Sequence, residues 1–89
     1  MDVTLQEVIN IQHQALNTLP RKILFLMIKN EADATGWATI SGYSLARATT
    51  LPRRSVDTIL KHLINTGLIE RRKTGPQHNA LYQFRAIHI

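Results

Sequence analysis

Residues 44–69 read SLARATTLPRRSVDTILKHLINTGLI, the most strongly patterned segment of the chain. Its pattern predicts a short helix from Gly42 to about Thr49, a tight turn, and a second helix over residues 53–66. Ser41 is a favourable N-cap for the first helix, and Gly67 is a favourable left-handed cap after the second. Apolar residues at i, i+3, i+4, i+7 and i+8 give the second helix one buried face. That face consists of Val56, Ile59, Leu60, Leu63 and Ile64.

A basic segment, Glu70-Arg71-Arg72-Lys73, follows this helix pair at once. Residues 69–73 and 80–87 read as two strands, because the second is rich in β-prone residues and the loop 74–79 between them is rich in turn formers. The chain therefore predicts a β-hairpin with a basic first strand directly after the second helix.

The residues before the helix pair predict two more helices and a short strand. A first helix is expected over 4–19, with Thr4 as N-cap, Glu7 closing a capping box, and an apolar face made of Leu5, Val8, Ile9, Leu16 and Leu19. A second helix should begin near Pro20 and run to about Ala32. Residues 23–28 are all apolar, so this helix should be covered on more than one face. Residues 37–40 read as a short strand, with Trp37 covering the small core.

Length and composition narrow the classes of function. Eighty-nine residues make one domain, with residues 1–19 as an N-terminal helix that could dimerise and 20–89 as the core. The chain has no cysteine, no apolar run long enough to span a membrane, and no start typical of a secretory signal. The histidines lack the spacing of a helical metal site, and no paired acids or glycine-rich phosphate loop are present. We therefore predict no enzyme activity, no metal and no cofactor.

The positive charge is concentrated in the second part of the chain. Residues 1–33 carry three lysines and arginines against four acids, whereas residues 34–89 carry eight against two, within a net charge of +5. A surface of this kind favours a polyanionic partner, and nucleic acid is the commonest one.

With these features, the chain resembles the winged helix-turn-helix superfamily of bacterial regulators, and the MarR, IclR and GntR types are the most similar in pattern. The matching segments are LARAT at 45–49, LPRRSV at 51–56, ILKHL at 59–63 and GLI at 67–69. The resemblance covers about residues 37–85. It implies a mainly α fold with a small β-hairpin (α+β), built as a winged helix-turn-helix with an extra N-terminal helix.

One residue departs from the family pattern. Thr50 stands in the turn where the family usually has glycine. Threonine is β-branched and disfavours positive φ. Either the turn has a different geometry, or Thr50 caps the following helix through its hydroxyl.

Side chains suited to DNA recognition lie on the second helix of the pair and on the hairpin. Arginine can bind guanine O6 and N7 in a bidentate manner, so Arg54 is the candidate base reader and Arg53 a candidate phosphate contact. Arg54, Thr58 and Lys61 should share one face. In the basic strand, Arg71 and Lys73 should point one way and Arg72 the other. The full set of expected DNA-binding residues is Arg47, Arg53, Arg54, Ser55, Thr58, Lys61, Arg71, Arg72, Lys73 and His78.

The sequence thus predicts a sequence-specific double-stranded DNA-binding protein, a small transcriptional regulator with helix 53–66 in the major groove and the wing 69–87 on the backbone or minor groove. It is expected in the bacterial cytoplasm or nucleoid, as a homodimer through residues 4–28, with no membrane contact and no small-molecule effector. The N-terminal apolar face could instead pack inside its own chain. Two other functions stay open: a plasmid or phage replication or partition factor, and a winged-helix protein–protein interaction module.

Overall fold

The computed structural model describes residues 3–73 and 82–87, and the chain folds as an α+β domain, as the sequence predicts. In chain order the elements are α1 (Leu5–Asn10), a 3₁₀ turn (Gln14–Leu16), α2 (Leu19–Glu31), β1 (Ala38–Thr39), α3 (Gly42–Thr49), α4 (Arg53–Asn65), β2 (Ile69–Lys73) and β3 (Tyr82–Ala86). None of the helices within these ranges has the length and apolar character needed to cross a bilayer.

The three strands form one antiparallel sheet with the order β1-β3-β2. In its register Ala38 faces Phe84, Thr39 faces Gln83, and Arg72 also faces Gln83. Directly opposed residues share a face of the sheet. The inner face therefore carries Ala38, Ile69, Arg71, Lys73, Tyr82, Phe84 and Ala86, and the outer face carries Thr39, Glu70, Arg72, Gln83 and Arg85. Because Ala38, Ile69 and Phe84 are buried, the inner face is the one on which the helices pack.

The core forms around α2. Its residues Leu24 to Ile28 are all buried, because α2 packs against α1, the 3₁₀ turn, α4, β1 and β3. The prediction of a helix covered on several faces is confirmed, and the cover comes from the same chain. Each such apolar side chain contributes about 1.5–3 kcal/mol by leaving water.

The prediction of one N-terminal helix over 4–19 is wrong. The capping box of Thr4 and Glu7 is present, but α1 ends at Asn10. The chain then runs extended before the 3₁₀ turn. Polar side chains supply the alternative hydrogen bonds that end the helix: Gln12 Nε2 donates to the Ile9 carbonyl, and His13 Nδ1 accepts from the Ala15 amide at 3.0 Å.

This break divides the apolar stripe that the sequence placed on one face. Ala15 and Leu16 join the core of their own chain, and the Ala15 carbonyl accepts a hydrogen bond from His62 Nε2 of α4 at 3.0 Å. Leu5 and Ile9 instead remain 77% and 53% exposed. Part of the segment expected at a dimer interface is therefore used inside the monomer.

Two further expectations need correction before the helix pair. The strand expected at 37–40 is only Ala38–Thr39. Trp37 does not cover the core; it is half-buried outside the core cluster, and its ring lies beside the guanidinium of Arg72. The contact between Trp37 and Arg72 depends on how the strands pair, because β1 meets Gln83, which lies 44 residues after Thr39 in the chain. Local sequence could not reveal it.

The helix pair has the predicted bounds, with α4 one residue shorter. Ser41 Oγ caps α3 by accepting from the Ser44 amide. Thr50 adopts the left-handed conformation, with φ of 59°, and its hydroxyl donates to the Thr49 carbonyl. Both explanations offered for Thr50 are therefore wrong: the turn keeps the glycine-like geometry, and Pro52 is the N-cap of α4, without a side-chain hydrogen bond. Gly67 ends α4 in a Schellman motif, as predicted.

Candidate nucleic-acid interface

The exposed face of α4 holds the three side chains that the sequence placed together, including the expected base reader Arg54. Arg54, Thr58 and Lys61 are all exposed, and they lie opposite the buried side of the helix, which consists of Val56, Leu60 and Leu63. Within the described residues, the side chains of Arg54 and Lys61 have no hydrogen-bond or ion-pair partner. Their positive charges are thus available to a ligand.

Two other candidates on α4 are less free. Thr58 Oγ1 donates to the Arg54 carbonyl at 3.0 Å, so only its acceptor capacity faces outward. Ser55 is half-buried on the flank of the helix. The structure therefore separates Ser55 from the exposed group formed by Arg54, Thr58 and Lys61.

Arg53 is held at the junction of α3 and α4. Its Nε lies 3.0 Å from Asp57 Oδ1, one turn along α4. Its guanidinium also lies against the backbone of Gly42 at the start of α3, where an added Cβ would be 2.7 Å from Nε. The ion pair is 57% exposed on both sides, so it contributes little stability, but it directs the Arg53 guanidinium toward α3.

On α3, Arg47 is exposed and its guanidinium lies 5.9 Å from the centre of the Tyr43 ring. Tyr43 is itself 61% exposed. Tyr43 was not among the residues expected at this site from the sequence. Its i, i+4 spacing from Arg47 was the available signal.

The hairpin arginines divide between the two faces of the sheet, as the alternation predicted. Arg71 and Lys73 lie on the inner face, which also carries the residues that pack on the helices, and α4 contacts β2. The Arg71 guanidinium lies 4.7 Å from the Tyr82 ring centre. Arg72 lies on the outer face, where its Nε donates to Gln83 Oε1 at 2.8 Å. Arg72 is therefore apart from the other two.

The remaining candidate, His78, falls outside the described residues, in the segment 74–79 that the sequence predicts as a loop. The acids on α4 and β2 are both paired: Asp57 with Arg53, and Glu70 with Arg85. Neither acid is left to repel a polyanion. Across residues 3–73 and 82–87, no three histidine, aspartate or glutamate side chains group closely enough to hold a metal ion.

The outer face also holds residues that the sequence analysis did not select. Trp37, Gln83 and Arg85 surround Arg72 there. Only the cross-strand register brings them together, and a hairpin register is difficult to deduce when the connecting loop permits several.

Comparison with known proteins adds no relative. A scan against protein-family models found no match, and neither did searches of curated proteins and of solved structures.

Proposed function

We propose that this chain is a winged helix-turn-helix protein that binds double-stranded DNA sequence-specifically and acts as a small transcriptional regulator. The order of elements supports this proposal: a helix (α2), a short strand (β1), two helices joined by a tight turn (α3 and α4), and a hairpin (β2 and β3) that pairs with β1. In this arrangement α4 is the recognition helix and the hairpin is the wing. The same proposal places the protein in the bacterial cytoplasm or nucleoid.

The observation that carries the proposal is that Arg54 and Lys61 lie on the exposed face of α4 and that their side chains have no partner among the residues the structure describes. An α-helix with side chains is about 10–12 Å wide and fits the B-DNA major groove, which is about 12 Å wide. Arg54, near the N-terminal end of α4, would bind a guanine through two hydrogen bonds, which discriminate against other bases by about 1–3 kcal/mol. Lys61, two turns on, would bind a phosphate.

The other basic residues supply contacts that do not depend on sequence. Arg47 on α3, Arg53 at the α3–α4 junction, and Arg71 and Lys73 on the inner face of the hairpin are the proposed phosphate contacts. Each neutralised phosphate should add about 0.9 to the magnitude of the slope of log K against log salt. A wing with two such residues holds the duplex against α4.

We also propose that the protein binds as a homodimer. The interface expected over residues 4–28 is reduced by the fold, because Ala15, Leu16 and residues 24–28 of α2 are buried within the chain. Leu5, Ile9 and Leu19 remain exposed in that range. These three apolar side chains are the proposed contact between copies, since two half-sites give more specificity than one small module.

The test begins with selection of binding sites from random duplexes by the purified protein. Affinities for the selected site and for unrelated DNA are then measured for the parent and for Arg54→Ala, Arg71→Ala and Arg21→Ala. Arg54→Ala should lose about 1–3 kcal/mol on the selected site and relax specificity at one base pair. Arg71→Ala should weaken both DNAs equally. Arg21→Ala removes the same charge from α2 and should change neither.

The results also separate the alternatives. If Arg54→Ala and Arg71→Ala bind as tightly as the parent, DNA binding through this surface is wrong. Selected sites that map to a plasmid or phage origin would identify a replication or partition factor that uses the same face. A failure to select any duplex would remove DNA binding from the proposal and favour the interaction module.

A further inference from the structure

A row of polar side chains crosses the outer face of the sheet. Thr39, Gln83 and Arg72 are register partners on β1, β3 and β2. Gln83 Nε2 donates to Thr39 Oγ1 at 2.8 Å, and Arg72 Nε donates to Gln83 Oε1 at 2.8 Å. We call these three residues the outer-face row. It connects all three strands through side chains, and it ends on Arg72.

Arg72 has a second partner in Trp37, the residue directly before β1. The guanidinium carbon of Arg72 lies 4.0 Å from the centre of the Trp37 ring, and that of Arg85 lies 5.0 Å from it. Tryptophan is the best aromatic partner for such a cation. Arg72 is thus joined to the body of the domain by an aromatic contact at one end and by the outer-face row at the other.

The contacts of Arg72 matter because the edge strand β1 is short. β1 has only two residues, so few backbone hydrogen bonds attach the hairpin to the body on that side. Beyond the buried Ile69, the four remaining residues of β2 are exposed. The direction of the hairpin therefore depends on contacts made by its side chains.

We infer that Arg72 is a positioning residue that fixes the direction of the hairpin through Trp37 and Gln83, so that Arg71 and Lys73 on the other face meet the DNA backbone. The part of this inference that concerns DNA rests on the proposed function. It assigns to Arg72 a role different from the DNA contact that the sequence predicted.

The contacts of Arg72 oppose a direct role at phosphate. To reach DNA on the inner side, its guanidinium would leave the Trp37 ring, and Gln83 Oε1 would lose its donor. The Arg72 charge also faces Asp33, whose pKa is lowered mainly by hydrogen bonds from the Thr35 hydroxyl and amide and to a lesser degree by Arg72. The surroundings of Arg72 are thus arranged to retain its guanidinium where it is.

The first experiment needs no DNA, because Trp37 is the only tryptophan of the chain. Its fluorescence and its quenching by acrylamide are compared in the parent, Arg72→Ala and Arg71→Ala. Arg72→Ala should shift the emission to longer wavelength and increase quenching, since it uncovers the ring. Arg71→Ala is the matched control, one residue away on the opposite face, and should leave both unchanged. Equal effects of the two variants would overturn the contact.

The second experiment measures the salt dependence of DNA affinity. Trp37→Leu and Gln83→Leu remove no charge, so a purely electrostatic account predicts no change in slope. If Arg72 positions the wing, both should reduce the magnitude of the slope, toward a loss of about 1.8 when the contacts of Arg71 and Lys73 are both lost. Arg72→Ala should give the same loss, and combining it with Trp37→Leu should add little. A loss of about 0.9 for Arg72→Ala alone, with parental slopes for the neutral variants, would overturn the inference.

Folding and function are controlled separately. Circular dichroism shows whether each variant is folded at the assay temperature. Arg72→Lys keeps a cation for the Trp37 ring, so it should recover part of the parental slope of log affinity against log salt concentration. Addition of DNA to the parent should leave the emission wavelength of Trp37 unchanged, because Arg72 stays on the ring. A shift like that of Arg72→Ala would contradict the inference that Arg72 keeps this contact when DNA is bound. If no duplex binds to the parent, the proposed function fails, while the fluorescence result still decides the contact.

Discussion

At the scale of single residues, Thr50 is the least expected feature of the molecule. A β-branched residue with φ of 59° occupies a region that glycine enters easily and other residues enter at a free-energy cost of about 1–2 kcal/mol. The folded state tolerates this cost because the short turn at Thr50 sets the direction in which α4 crosses α3. The hydroxyl of Thr49, which donates to the Leu45 carbonyl and accepts from the Leu51 amide, supports the turn from its other side.

Thr50→Gly should therefore stabilise the protein. Relief of the left-handed threonine exceeds the added entropy of glycine in the unfolded chain, so the gain should be up to about 1 kcal/mol, or about 4–8 °C in Tm for 1 kcal/mol in a domain of this size. Thermal melts followed by circular dichroism measure it. Thr66→Gly is the matched control, since Thr66 has φ of −87°, and it should not raise Tm. A fall in Tm for Thr50→Gly would contradict the strain.

Gly42 offers a second prediction at this scale. An alanine Cβ there would lie 2.7–2.9 Å from three atoms of the Arg53 guanidinium, which is the flexible end of its side chain and can move away. Gly42→Ala should therefore keep the free energy of unfolding within about 0.5–1 kcal/mol of the parental value and weaken the proposed DNA binding as much as Arg53→Ala does. Parental affinity for Gly42→Ala, with a loss for Arg53→Ala, would show that the position of Arg53 over Gly42 is not needed.

At the scale of elements, the sequence was most informative where the signals are local. Ser41 and Gly67 mark the ends of the helix pair through their own hydrogen bonds and backbone angles, so the bounds of α3 and α4 could be predicted. The bounds of the N-terminal helix could not be predicted in this way. Its apolar periodicity favours one long helix, but side-chain hydrogen bonds of Gln12 and His13 end that helix early, and the apolar pattern carries no information about them. Trp37 and Arg72 required the register of the sheet, which is not a local property.

The N-terminal segment can be tested as part of the core. Leu16 is 1% exposed and Leu19 is 60% exposed, although the sequence placed both on one apolar face. Leu16→Ala should reduce the free energy of unfolding by about 2–5 kcal/mol, whereas Leu19→Ala should change it by at most about 0.5 kcal/mol. The free energies of unfolding of the two variants are compared by urea titration, at a protein concentration too low for self-association. Equal effects would mean that the 3₁₀ turn is not docked.

The attachment of α1 should depend on pH. The pKa of Glu7 is lowered, first by the hydrogen bond from the Thr4 amide and then by that from Asn30, where Asn30 Nδ2 lies 3.1 Å from Glu7 Oε2. A lowered pKa means that the ionised carboxylate stabilises the folded state. That contribution is complete above the ordinary glutamate pKa of 4.5 and is lost as the pH falls through the lower folded value.

Melts between pH 7 and pH 3 of the parent and of Glu7→Gln measure this effect. The difference in Tm between them should shrink as the pH falls, because both then carry an uncharged side chain at position 7. Glu31→Gln changes another exposed glutamate, whose side chain has no hydrogen-bond partner among the described residues, and its difference in Tm from the parent should stay small throughout. A constant difference for Glu7→Gln would contradict the role of its charge.

At the scale of the whole molecule, the division of apolar and basic surface predicts how copies associate. The apolar side chains left exposed near the N-terminus, Leu5 and Ile9, lie on α1, whereas the proposed DNA contacts lie on α3, α4 and the hairpin. Light scattering should give twice the mass of the chain for the parent and the mass of one chain for Leu5→Glu combined with Ile9→Glu. A parent that stays monomeric over a wide concentration range would remove the dimer from the proposal.

The position of β2 in the sheet has a consequence for the free protein. β2 lies at an edge, where unpaired backbone groups could recruit a strand from another molecule and begin aggregation. Four consecutive exposed charges, Glu70, Arg71, Arg72 and Lys73, occupy that edge and repel an identical strand. Alanine substitutions that remove the proposed DNA contacts of the wing would also remove these charges from the edge strand. Arg71→Glu combined with Lys73→Glu is therefore the better way to obtain a protein that does not bind nucleic acid and stays in solution.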